Sequence, residues 1–94
     1  MANHKSALKR MRQNRKRRMR NKMRKTRVKN CIKAVKAALD EGSVERAVEA
    51  LRTAQKVIDK TAAKGTLHWR NAARKVSRLS RRVAALQREK AQAQ

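Results

Sequence analysis

The sequence predicts an all-α protein, an antiparallel three-helix bundle with a long, protruding, basic N-terminal helix. Three observations carry this reading. Proline is absent, and the only glycines, Gly42 and Gly65, divide the chain into three stretches rich in good helix formers. Each stretch carries apolar residues spaced by threes and fours, the repeat of one helix face. Trp69 is the only aromatic residue, so any core must be built from Ala, Val, Leu, Ile and Met, which suits close-packed helices better than a sheet. At 94 residues the chain makes one domain.

The first helix is expected to follow a polar lead-in, Met1 to Ser6, with Asn3 or Ser6 as its N-cap. It should run to about Leu39, roughly 50 Å at 1.5 Å per residue. Between Ala2 and Leu39 there are 16 Lys or Arg and no Asp or Glu. One face of this helix, followed toward the N-terminus, reads Leu39, Val35, Cys31, Val28 and then Arg24, Asn21, Arg17, Asn14, Arg10. Its C-terminal half is apolar and calls for a protein core. The N-terminal half is cationic and polar on the same face, so it needs an anionic partner. Residues 1–27 are accordingly read as a basic extension and residues 28–91 as the bundle. Leu8, Met11, Met19 and Met23 form a second row nearly opposite the seam and are read as exposed.

Asp40-Glu41-Gly42-Ser43 marks the first boundary, with Gly42 as a helix stop and Ser43 as the next N-cap. Asp40 to Lys60 holds five acids and four bases, the only segment without a cationic excess. Val44, Ala47, Val48, Leu51, Ala54, Ile58 and Ala62 give this second helix a broad apolar stripe that can cover the first. Lys64-Gly65 closes it, and Thr66 or a residue just after opens the third. The third seam is Trp69, Ala72, Val76, Leu79, Val83 and Leu86, with Arg70, Arg74, Arg78, Arg81 and Arg88 opposite. Short connections make the three helices antiparallel neighbours.

A formal charge of +23 makes a polyanion the natural partner and is rare in metabolic enzymes. Catalysis has no support: the carboxylates are scattered, and His4 and His68 have no Cys or His at ligand spacing. Gly42 and Gly65 are isolated, so there is no Gly-rich phosphate loop, and no cofactor is expected. Cys31 stands alone on the seam and is read as a small buried hydrophobe in a reducing compartment. No run of about 18 apolar residues exists, which excludes a transmembrane helix, and the chain is read as mature and cytoplasmic.

Bases surround the whole circumference of Lys5 to Lys29, which no solvated face of a bundle requires. Arginine outnumbers lysine from Met11 to Arg27, and its planar fork suits bidentate phosphate contacts. Gln13, Asn14 and Asn21 add groups able to reach sugars or base edges. Nucleic-acid binding follows, though charge alone does not separate RNA from DNA. Trp69 shares a register with Ala72 and Val76 and is assigned to the end of the core beside Gly65. Stacking on an unpaired base is its other reading. His68, between Lys64 and Arg70, is read either as a phosphate contact or as an exposed, idle residue.

Several segments resemble the bacterial ribosomal protein S-twenty family, protein twenty of the small subunit. Met1-Ala2-Asn3-His4-Lys5-Ser6-Ala7 with Lys9-Arg10 looks like the family's start, and Ile32-Lys33-Ala34-Val35 resembles its mid-helix segment. Ala63-Lys64-Gly65, His68 and Ala72-Ala73-Arg74-Lys75-Val76-Ser77-Arg78-Leu79 look like its third-helix motif. The chain departs from the pattern at Trp69-Arg70, where Lys-Asn is common, and at Val76, often Lys. The resemblance implies a three-helix bundle bound directly to small-subunit ribosomal RNA, helping to assemble and hold that subunit, without catalysis. Candidate RNA-contacting residues on the first helix are then Asn3, Lys5, Ser6, Lys9, Arg10, Arg12, Gln13, Asn14, Arg15, Lys16, Arg17, Arg18, Arg20, Asn21, Lys22, Arg24 and Arg27. Beyond it they are Lys64, His68, Arg70, Asn71, Arg74, Lys75, Ser77 and Arg78. The expected partners are small-subunit ribosomal RNA and other ribosomal proteins, with no homo-oligomer, membrane or small-molecule substrate. Two rival classes are a DNA-compacting protein and a membrane-active amphipathic helix. The second is disfavoured because arginines interrupt the Leu8–Met23 stripe.

Overall fold

The computed structural model describes residues 2–93, with side chains from residue 4 to residue 93. Three helices follow one another: α1 (Ala2–Glu41), α2 (Val44–Ala63) and α3 (Trp69–Ala93). The molecule is a narrow wedge, 75 × 22 × 13 Å across its principal axes. Its length comes from α1, which outruns the other two helices.

α1 begins at Ala2, so Asn3 and Ser6 lie inside the helix and neither is its N-cap. The polar lead-in holds no breaker, and helix propensity carries straight through it. The Asn3 side chain lies outside the described residues. At the other end α1 runs on to Glu41 and stops in a Schellman turn. Gly42 N–H bonds the Leu39 carbonyl at 3.0 Å and Ser43 N–H bonds that of Ala38 at 3.2 Å. Ser43 then caps α2, its Oγ accepting from Arg46 N–H at 3.4 Å. The Arg46–Glu41 ion pair spans the turn at 3.0 Å, but both partners are exposed and it adds little.

The same device ends α2. Gly65 N–H bonds the Ala62 carbonyl at 3.0 Å and Thr66 N–H bonds that of Thr61 at 3.2 Å. Thr66 is therefore part of the α2 stop rather than the start of α3. The cap of α3 is His68, whose carbonyl accepts from Ala72 N–H at 3.0 Å and whose Nδ1 accepts from Arg70 N–H at 3.1 Å. Gly65 sits at φ +79°, and a Cβ there would meet no atom within 4 Å. Gly65→Ala should thus carry only the left-handed backbone penalty, about 1–2 kcal/mol. Chemical denaturation measures it, and an unchanged midpoint would show that the turn relaxes freely.

The core is built as the seams required. Val28, Val35, Ala38, Ala47, Ala54, Ile58, Ala72, Leu79 and Val83 are buried. Val35, Ala47, Ala54 and Ile58 are completely so. Alanines at the contacts let the helices approach closely, and α2 is the central element: α1 and α3 pack mainly on it and touch each other little. Thr61 is the one buried polar residue among the described residues, and its hydroxyl donates to the Val57 carbonyl at 2.7 Å. Cys31 is half-buried against this core rather than sealed within it.

Trp69 does not belong to the core. It is 65% exposed. Leu67, in the connection before it, packs against the core at this end.

Candidate nucleic-acid interface

From His4 to Arg20 every side chain of α1 is exposed. Lys5, Lys9, Arg10, Arg12, Arg15, Lys16, Arg17, Arg18 and Arg20 project from this span, which contains no acid. Steps of 100° per residue distribute them around the whole rod. Among the described residues the one ion pair is Arg46–Glu41, so none of these cations is neutralised within the chain. Leu8, Met11, Met19 and Met23 are exposed, as their row implied.

The rod meets the bundle at a polar joint. Arg24 Nη1 donates to Thr66 Oγ1 at 3.1 Å, and that hydroxyl donates to Asn21 Oδ1, also at 3.1 Å. Asn21 and Arg24 are half-buried there, the first residues of α1 to leave full exposure. They tie the rod to the turn between α2 and α3. Both were expected among the RNA contacts, and the structure gives them an intramolecular role as well.

Just past the joint, α1 and α2 enclose a cleft of ≈ 380 Å³ lined by Arg24, Arg27, Thr53, Lys56, Val57, Lys60, Thr61 and Lys64. A smaller hollow of ≈ 220 Å³ adjoins it, formed by Arg20, Met23, Arg24, Arg27 and Lys64. Five cations line the larger cleft with no carboxylate among its lining residues. That arrangement suits a chain of phosphates better than any neutral ligand. Arg24, Arg27 and Lys64 were expected here; Lys56 and Lys60 were not. Their signal is the i, i+4, i+8 spacing of Lys56, Lys60 and Lys64 on one helix face, which the balanced charge of the whole segment hid.

On α3, Arg70, Asn71, Arg74, Ser77 and Arg78 are exposed, while Lys75 is half-buried. Lys75 instead lines a second groove of ≈ 210 Å³ with Lys25, Val28, Lys29, Ile32, Thr61 and Leu67, of which Thr61 also borders the α1–α2 cleft. His68 is neither idle nor free, since its imidazole holds the N-terminus of α3. Among the described residues no group of His, Cys, Asp or Glu could hold a metal ion. Among the described residues no helix is long and apolar enough to cross a membrane.

The family model for ribosomal protein S20 matches residues 2–84. The chain belongs to that family. Small ribosomal subunit protein bS20 of Syntrophobacter fumaroxidans is 57% identical over 86 residues, covering 92% of this chain and 100% of the relative. The bS20 protein of Solidesulfovibrio magneticus is 59% identical over 83 residues, covering 88% of this chain and 93% of the relative. That of Nitratidesulfovibrio vulgaris strain Miyazaki F is 51% identical over 87 residues, covering 93% and 100%. As an S20-family member the chain is a structural, non-catalytic constituent of the ribosome. The rod, joint and cleft are therefore features of a ribosomal protein, and no catalytic group need be sought among them.

Proposed function

We propose that this S20-family chain binds small-subunit ribosomal RNA directly and helps to assemble and stabilise that subunit. Residues 1–27 act as the RNA-binding extension and residues 28–91 as the anchor. The observation that carries the proposal is the unpaired, exposed cationic span from His4 to Arg20. A rod charged on every side lodges between RNA helices and neutralises phosphates that otherwise repel one another. Arginine forks grip phosphate oxygens, and the carboxylate-free cleft takes a further stretch of backbone between α1 and α2. Lys64, Arg70, Asn71, Arg74 and Arg78 extend the surface onto the α2–α3 turn and α3.

Filter binding of the full chain to a small-subunit ribosomal RNA transcript, across a salt series, tests this reading. If about ten phosphates are neutralised, log K falls against log salt with a slope near −9. Replacing Lys56 and Lys60 together by Gln should reduce that slope by about 2 without altering the fold, because both are exposed. Duplex DNA of similar length should compete poorly. Equal competition by DNA would favour a DNA-compacting role, and a nearly flat slope would remove the phosphate-binding mechanism.

A further inference from the structure

We infer that Trp69 is a stacking platform for one unpaired nucleobase of the bound RNA, an inference that rests on the function proposed above. The ring is 65% exposed although the chain has apolar core to offer. It is also held in place. His68 stacks on it with centroids 5.8 Å apart and planes 27° apart, and the Arg70 guanidinium lies 5.3 Å from its centroid. The His68 imidazole is in turn fixed by its cap on Arg70 N–H. Thr66, three residues earlier, is bonded to Asn21 and Arg24 of the rod, so the platform has a set position relative to it. One helical turn on, Ala72 and Ala73 are too small to crowd the ring.

The surroundings decide the occupant. Lys64, Arg70 and Arg74 are exposed cations close by in sequence, and Asn71 offers both a donor and an acceptor for a base edge. Among the described residues the other exposed large hydrophobics are Leu8, Met11, Met19 and Met23, all on α1. A protein partner would call for an apolar patch around the aromatic anchor, and here the imidazole of His68 and the guanidinium of Arg70 lie against it. A flat π surface set among phosphate-binding groups matches a splayed-out base, which presents its own π face while its backbone meets the cations. Bases inside a duplex are already stacked, so the ligand is a bulged or single-stranded nucleotide.

Trp69 is the only Trp, and the chain has no Tyr or Phe, so intrinsic fluorescence reports on this ring alone. The full chain is titrated with a small-subunit ribosomal RNA transcript and separately with heparin, a polyanion without bases. RNA binding is followed independently by anisotropy of the labelled transcript. The RNA should strongly quench Trp69 and shield its residual emission from acrylamide, whereas saturating heparin should leave both nearly unchanged. Trp69→Ala should weaken RNA binding about tenfold with no loss of thermal stability, and Trp69→Phe should retain most of the affinity. Bound RNA that leaves the emission unquenched, equal quenching by heparin, or full affinity in Trp69→Ala each overturns the inference alone. Failure of the transcript to bind at all overturns the proposed function with it.

Discussion

Val35→Asp is expected to unfold the bundle. Val35 is completely buried between Val28 and Leu39 on the α1 seam, and the core around it contains no cation. An aspartate there must either carry an unpaired charge in an apolar site or take up a proton to avoid it. The first course costs about 3–5 kcal/mol, a large share of what a small domain has in total. Arg17→Ala lies on the same row but on the exposed rod, so it should leave the folded state untouched. Thermal melts of the two variants followed by circular dichroism decide the matter. Comparable loss in both would mean that the face does not change its role along α1.

Removing residues 1–20 has the second large effect, on binding rather than folding. Nine cations go with them, while Asn21, Arg24 and every core residue from Val28 onward remain. The truncated chain should still show a cooperative melt. Its affinity for the ribosomal RNA transcript should fall by about three orders of magnitude or more at low salt, and its salt slope should flatten toward that of the cleft alone. A truncated protein that kept both its affinity and its slope would place the main binding surface on the bundle.

The seams of all three helices were legible because 3.6-residue periodicity survives in any context, and the two glycines marked both stops without ambiguity. Trp69 shares the core register yet is exposed, for a reason specific to helix ends. Register identifies the face a residue occupies but not whether another helix extends far enough to cover it. Trp69, the first residue of α3, stays exposed, and Leu67, outside any periodic pattern, packs against the core instead. Lys56 and Lys60 were overlooked because a net charge summed over a segment averages faces that point in different directions. The joint was half legible: Asn21 and Arg24 stood out on the seam, but Thr66, 42 residues from Arg24, could be paired with them only by folding. The rod residues are legible from charge alone, and all from His4 to Arg20 are exposed.

The uneven distribution of charge along so long a body bears on how it arrives at its partner. Asp40, Glu41, Glu45 and Glu49 gather where α1 turns into α2, and Lys90, with Glu89 beside it, reaches Gly42 at that same end. The opposite end is the acid-free rod. At 75 Å the molecule spans several screening lengths of about 8 Å under physiological salt, so its two ends respond to separate surroundings. A polyanion therefore exerts a torque as well as a pull, turning the acid-free rod toward it and the acidic α1–α2 turn away.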